Sequence, residues 1–350
     1  MNQLSWGVIG AGGIADRRTL PGMMQAKNAS IAAVMEIDRN FAEVLRKKYK
    51  APKAYTSEEE LLADPAVEAV YIASPVTAHY QQALAAAGAG KHILIEKPVA
   101  MKIEEGEALI KLCAEKKLQF SAGFMMRFHP CHRKLRELVS QGGLGKIVSL
   151  RAQLTCWYPE IPGAWRQDPA LSGGGALMDM GIHCIDLLQY ITGSRAVRVS
   201  ALMGTSTFSY AVEDSASLIM EFENHAHASV DAFFNIPDDA SENRLEIYGT
   251  GGCALAAGTI GQTGGGTCSL VYSNPGGYNN QQNRNESQGR QNLSWEEANP
   301  YTLEIESFGD SLLKGKKTEA PAEEAVQVQR VIAGAYQSAR EGRVVEIPLV

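Results

Sequence analysis

Short apolar runs and amphipathic stretches alternate through the first third of the chain. Leu4–Ile9, Ser30–Glu36, Val67–Ala73, Lys91–Glu96 and Leu118–Gly123 read as strands. Between them, Gly10–Ala26, Asn40–Lys48, Ala78–Gly88 and Ile103–Lys117 read as helices, the first opened by a glycine turn. This alternation predicts βαβ units and a parallel sheet. The strands are continuous apolar runs, as expected when helices cover both faces of a sheet.

The pattern changes after Gly123. His129–Gln141 and Ala176–Ile191 carry helical periodicity, and Gly193 is placed to stop the second. Lys146–Trp157, Val197–Thr207, Ser215–Glu223, Ala226–Phe234 and Arg244–Tyr248 read as strands with short connections, which predicts a mostly antiparallel sheet. Tyr301–Lys314 and Ala322–Arg340 read as closing helices. The expected organisation is a parallel α/β domain over 1–123 and an α+β domain over 124–350. Gly258–Asn292 is crowded with Gly, Asn and Gln and cannot build a core. It reads as a surface loop, with a substrate-site lid as the alternative. A sheet covered by helices on one side leaves its other face open. Met203, Leu218, Met220, Phe222, Val230 and Phe234 are candidates for one face or the other, and an exposed apolar face predicts self-association as a dimer or tetramer.

Composition narrows the class. The 350 residues are 45% hydrophobic and 21% charged, with a net charge of −6, which is an ordinary globular balance for two domains. There is no basic footprint, so nucleic-acid binding is not expected. Charged residues interrupt every apolar run before membrane-spanning length. The start, MNQLSWGVIG, shows no basic leader and no small-residue cleavage site, so a cytoplasmic location is expected. The six cysteines form no CxxC pair and read as reduced thiols. The glycosylation triplets at Asn28, Asn285 and Asn292 then read as chance matches.

Gly10-Ala11-Gly12-Gly13-Ile14-Ala15 fits G-x-G-x-x-G/A directly after the first strand. In that position the pattern predicts a dinucleotide-binding Rossmann unit. Gly10 permits the tight turn, Gly12 lets a pyrophosphate approach the backbone, and Ala15 keeps helix and strand close. Glu36 ends the second strand, where a carboxylate can accept both hydroxyls of an adenosine ribose. It would repel a 2′-phosphate, so NAD is expected over NADP. Arg39 lies close enough in sequence to offset part of that repulsion.

Two further features carry chemistry. Glu96-Lys97-Pro98 ends a parallel strand, where open α/β sheets place their ligand crevice. Proline there holds Lys97 extended and aims its ammonium group. Gly173-Gly174-Gly175 leads into a helix with Asp179, His183 and Asp186 at i, i+4 and i+7, one helical face. An aspartate one turn before a histidine can orient the imidazole, the side chain best matched to proton transfer near neutral pH. A satisfied polar face on a buried helix and an Asp/His/Asp metal site are the alternatives. His129 and His132 also have ligand-like spacing, but no second ligand cluster stands out and no metal is expected.

Together these motifs resemble the Gfo/Idh/MocA oxidoreductases, along nearly the whole chain. The resemblance implies a Rossmann domain followed by an open-faced, mostly antiparallel sheet domain. It implies catalytic roles for Lys97, Asp179 and His183. The family's Trp-Arg pair matches Trp165-Arg166, and Arg127 matches its second-domain arginine behind Met125. Ser74-Pro75-Val76-Thr77-Ala78-His79 stands where the family often has T-P-N-x-x-H, so the asparagine is missing. The implied cofactor contacts are Gly10, Gly12, Gly13, Ile14, Ala15 and Glu36, then Ser74, Pro75, His79, Glu96, Lys97 and Arg166. The implied substrate contacts are Lys97, Arg127, Tyr158, Trp165, Asp179 and His183. The implied reaction is hydride transfer between a sugar or polyol carbon and NAD. A glycosidase that oxidises its sugar transiently with retained NAD uses the same groups, and a dinucleotide sensor without turnover is a third reading. Trp157 and Trp295 could line a glycoside site as well as a monosaccharide one.

Overall fold

A computed structural model describes residues 3–273 and 289–349. The chain forms two compact units. The first comprises Met1–Phe128, Asp168–Gly173 and Asn299–Gln329; the second comprises His129–Gln167, Gly174–Ala298 and Arg330–Val350.

The first unit holds six parallel strands: β1 (Leu4–Ile9), β2 (Ala29–Met35), β3 (Lys53–Tyr55), β4 (Ala69–Ile72), β5 (His92–Ile95) and β6 (Phe120–Ala122). Their order is β3-β2-β1-β4-β5-β6. Every pair is parallel. All of β4 and most of β1 is buried, which is why these segments read as unbroken apolar runs. Helices α1 (Leu20–Gln25), α2 (Arg39–Lys48), α3 (Glu58–Leu62), α4 (Val76–Gly88) and α5 (Ile103–Glu115) alternate with them. The sequence reading omits β3 and α3, which are only three and five residues long. Their apolar content is too short for a period to show.

A single cut near Gly123 does not describe these units. Past α6 (Pro130–Ser140) and the four-residue α7 (Pro169–Ser172), the 14-residue helix α9 (Pro300–Leu313) packs into the first unit. Phe308 sets its ring 5.0 Å from that of Trp6. Asn28 Nδ2 donates to the Glu306 carbonyl and to Asp310 Oδ1, both at 2.8 Å. Asn28, first of the glycosylation triplets, is therefore a buried docking residue for α9.

The described residues of the second unit form nine strands: β7 (Ile147–Thr155), β8 (Ala196–Gly204), β9 (Ser215–Phe222), β10 (His227–Phe233), β11 (Arg244–Gly249), β12 (Gly252–Ala257), β13 (Thr267–Tyr272), β14 (Arg290–Asn292) and β15 (Val345–Glu346). The order is β14-β13-β12-β11-β7-β10-β9-β8-β15. Among the described residues of this sheet, only β7 and β10 pair in parallel. Helix α8 (Ile182–Thr192) packs on β7 and β10, and α6 packs on α8. The last helix is α10 (Ala322–Glu341).

Strand alternation settles the two faces of this sheet. Leu218, Met220, Phe222, Val230 and Phe234 are all buried, and Met203 is half-buried. The open face instead shows Leu202, 81% exposed, and Ile219, 67% exposed, among Ser200, Ser217 and Ser229. The expected loop over Gly258–Asn292 is corrected at both ends, since β13 and β14 extend the sheet. Cys268 and Leu270 supply the buried parity of β13, a pattern hidden behind Gly261–Gly266. Residues 274–288 lie outside the described residues. Among the described residues, no helix is long and apolar enough to cross a membrane.

Candidate active site

In the first unit, β1 ends in the glycine turn. Gly10 has φ +71°, and a Cβ there would lie 2.6 Å from the Ser74 backbone nitrogen, so only glycine fits. Ala11 N–H donates to the Met35 carbonyl at 3.0 Å, which ties the turn to β2. Gly12 N–H donates to Glu36 Oε2 at 3.0 Å, and Ile37 N–H donates to Glu36 Oε1 at 3.0 Å. Glu36 therefore stands at the glycine turn as the motif predicts, its carboxylate oriented by two backbone donors. Gly13 has φ +56° and nothing within 4 Å of where a Cβ would stand. Ile14 and Ala15 lead into a wide π turn over Ala15–Thr19 that continues as α1. Bare backbone at the head of a helix, beside a fixed carboxylate, fits a dinucleotide's pyrophosphate and ribose.

The next two strand ends carry Ser74 and Lys97. Pro75 caps α4, and the Ser74 hydroxyl bonds the Gln82 side chain. His79 was expected at the cofactor, but it is 1% exposed. Its Nδ1 faces the Pro98 carbonyl at 2.8 Å and its Nε2 faces the Ser74 carbonyl at 3.0 Å. It braces the two loops from inside. Burial pushes its pKa down to about 4, against the pull of the two carbonyls. Glu96 is likewise turned inward: Tyr71 Oη donates to its Oε1 at 2.5 Å, and Lys97 N–H to its Oε2 at 3.3 Å. Lys97 itself is half-buried, and the Lys97–Pro98 peptide is cis.

Arg127 is a second correction. It was expected to bind substrate, yet it is 1% exposed. One guanidinium nitrogen donates to the Glu319 carbonyl at 2.8 Å and pairs with Glu324, and the group lies over the Phe124 ring. A buried guanidinium with these partners holds the 319–324 segment to the first unit.

In the second unit, Asp179 sits in a π turn over Leu177–Gly181, and His183 opens α8. The wider turn departs from the regular α-helical spacing expected of residues 179, 183 and 186. Burial deepens along the three: Asp179 is half-exposed, His183 is buried, and Asp186 is wholly inside. Arg166 Nε lies 3.4 Å from Asp179 Oδ1 and stacks 4.3 Å over the Trp165 ring. Tyr158 packs its ring 5.0 Å from Phe234. Burial raises its hydroxyl pKa, with Arg166 pulling it down and Asp179 pushing it up. Tyr158, Trp165, Arg166 and Asp179 thus form one cluster, and Arg166, expected at the cofactor, is engaged with Asp179.

Glu213 holds this helix in place, and the sequence reading missed it. Its Oε2 accepts Gly175 N–H at 2.9 Å, and its Oε1 accepts Leu177 N–H at 3.0 Å and the Tyr336 hydroxyl at 2.8 Å. A carboxylate on a helix's first free N–H groups is a charged cap. The glycine run exists for this fit. A Cβ on Gly174 would lie 1.9 Å from Tyr336 Oη, and one on Gly175 would lie 2.0 Å from the Glu213 carbonyl oxygen. Beside it, buried Asp214 accepts N–H bonds from Ser206, Thr207 and Phe208. Burial works to raise its pKa, but these donors outweigh it and hold the carboxyl low. The ligand-like histidines are spent elsewhere: His129 Nε2 on the Gly265 carbonyl and His132 Nε2 on the Thr259 hydroxyl. Trp295 lines a cavity of about 420 Å³ with Thr267, Cys268 and Arg290, and none of the expected catalytic residues lines it.

Comparison with known proteins agrees with this fold. The oxidoreductase family with an NAD-binding Rossmann fold matches residues 4–124, and the GFO/IDH/MocA C-terminal domain matches residues 132–255. The chain belongs to the Gfo/Idh/MocA oxidoreductase family. A trans-1,2-dihydrobenzene-1,2-diol dehydrogenase of Mus musculus is 31% identical over 256 residues, covering 72% of this chain and 74% of its own. A D-xylose 1-dehydrogenase (NADP(+)) of Haloferax volcanii is 29% identical over 350 residues, covering 98% of this chain and all of its own. The crystal structure of an aldose-aldose oxidoreductase from Caulobacter crescentus complexed with glycerol shares the fold, with a TM-score of 0.88 at 24% identity over 99% of this chain and 100% of its own.

Proposed function

We propose that this oxidoreductase transfers a hydride between a hydroxyl-bearing carbon of a sugar or polyol and NAD. The observation that carries the cofactor choice is Glu36, whose two carboxylate oxygens are each set by a backbone N–H at the glycine turn. Each oxygen keeps capacity to accept a ribose hydroxyl, and its charge opposes a 2′-phosphate. The relative from Haloferax volcanii is named for NADP, so family membership alone does not select the cofactor. Bound nicotinamide supplies the acceptor or donor of the hydride. In the oxidative direction, His183 takes the hydroxyl proton. Lys97 donates a hydrogen bond to the same oxygen and stabilises the charge that develops there. Asp179 orients the imidazole, and Arg166, 3.4 Å away, holds the carboxylate in place. Trp165 and Tyr158 offer aromatic faces to the C–H side of a sugar ring. The name of the Haloferax volcanii relative, a xylose dehydrogenase, supports the substrate class.

The test is a panel of aldoses, anhydro sugars, inositols and polyols, read at the reduced-nicotinamide absorbance band with NAD and NADP separately. Turnover with a panel member and NAD supports the assignment. Aglycone release from a chromogenic glycoside without net NADH would move it to the glycosidase reading. Binding of NAD with no turnover on the whole panel would move it to a sensor. We also infer self-association through the open face, on the strength of Leu202 and Ile219.

A further inference from the structure

Thr19, Tyr71 and Glu96 form a buried chain of hydrogen bonds that ends on the backbone of Lys97. Thr19 Oγ1 donates to Tyr71 Oη at 2.9 Å. Tyr71 Oη lies 2.5 Å from Glu96 Oε1. Glu96 Oε2 accepts Lys97 N–H at 3.3 Å. Thr19 ends the turn that follows the glycine loop, Tyr71 is in β4, and Glu96 follows β5. The chain therefore links the phosphate cradle to the residue that carries the ammonium group.

The direction of the chain is fixed by proton counting. Tyr71 has one hydroxyl proton. Since Thr19 donates to it, that proton goes to the Glu96 carboxylate. Tyr71 is wholly buried. Burial and the neighbouring Glu96 charge hold the phenol well above its ordinary pKa, so it stays a donor. A phenylalanine would fill the same apolar site between strands, and burying a hydroxyl costs free energy unless it is bonded. Gly123 completes the fit, since a Cβ there would stand 3.2 Å from the Glu96 carboxyl carbon.

We propose that Tyr71 is a positioning residue for Lys97, locking the Glu96 carboxylate so that its second oxygen holds the Lys97 backbone. This rests on the proposed role of Lys97 in the reaction. Four variants test it: Tyr71→Phe, Thr19→Val, the two combined, and Lys97→Met as control. Turnover is measured with the panel sugar of highest rate. NADH affinity is followed by fluorescence. The Lys97 amine is followed in cofactor-free protein by reductive ¹³C-methylation and NMR, its resonance identified by its loss in Lys97→Met. Tyr71→Phe should lower kcat about tenfold, as expected for a slightly misplaced group, while NADH affinity stays within about twofold. The Lys97 resonance should shift and other lysine resonances should not. Thr19→Val should act in the same direction more weakly, and the double variant should be no worse than Tyr71→Phe. Wild-type kcat in Tyr71→Phe with an unmoved Lys97 resonance would overturn the proposal. So would a parallel loss of turnover and NADH affinity with that resonance unmoved, which is a general structural effect. If Tyr71→Phe does not fold, Thr19→Val decides by the same resonance. Full turnover in Lys97→Met would remove Lys97 from the reaction, and the resonance would still show whether Tyr71 positions it.

Discussion

Glu213 caps the start of the segment that carries Asp179 and His183. Replacing it by alanine removes the acceptor for Gly175 N–H, Leu177 N–H and the Tyr336 hydroxyl. Hydrogen bonds to a charged group contribute about 1.5–3 kcal/mol each, so the three total about 4.5–9 kcal/mol. Glu213 is half-buried, and water can reach part of the vacated space. That reduces the loss to about 2–4 kcal/mol, a large share of the roughly 5–15 kcal/mol that holds a folded chain together. Hydrogen exchange of peptides spanning Leu177–Thr192 reads this locally. Protection there should fall by about 30- to 1,000-fold, taking about 1.4 kcal/mol per decade, and other peptides should change far less. Glu213→Gln should lose about half as much, because its amide nitrogen would face the Gly175 N–H donor. Protection within threefold of wild type in Glu213→Ala would refute the charged-cap account.

Three other outcomes are expected. Glu36→Ala should weaken NAD binding by about tenfold or more, around 1.4 kcal/mol, and weaken NADP binding less; titration of both cofactors checks it, and an equal loss for both would contradict the ribose role. His79 is held with a folded pKa of about 4, below its ordinary 6.5, by burial. A depressed histidine gives stability that is complete above its unfolded pKa and lost as pH falls from about 6.5 to about 4, worth up to roughly 3 kcal/mol; urea unfolding of wild type and His79→Gln across that window should show the difference shrinking as pH falls, and a constant difference would contradict it. Leu202→Asp with Ile219→Asp should reduce the mass seen by light scattering at micromolar concentration, and an unchanged oligomer would place the interface elsewhere.

Much of the fold was legible because its signals are local. The parallel strands are long apolar runs, and the glycine turn announces its own geometry. Glu36 was readable for the same reason: its position relative to the turn is fixed by one βαβ unit. What failed to show depended on distance along the chain or on parity. Asn28 and Phe308 join segments about 280 and 300 residues apart, so neither advertises that α9 belongs with the first unit. Leu202 and Ile219 differ from their neighbours Ala201 and Leu218 only by which side of a strand they face. Arg127 and His79 matched motif positions, yet both are buried and bonded to backbone carbonyls of neighbouring loops. Glu213 and Tyr336 have no local signal, though the three glycines at 173–175 hinted that something must come close.

The central claim is that Lys97 and His183 act on a sugar hydroxyl with NAD as hydride acceptor. The most direct measurement is the single-turnover rate of NADH formation with the best panel sugar, for wild type, Lys97→Met and His183→Asn. A general base or a charge-stabilising donor contributes about 10²- to 10³-fold. Each variant should therefore fall by that order while still binding NADH and keeping its hydrogen-exchange protection. Rates within threefold of wild type in either variant would contradict the account.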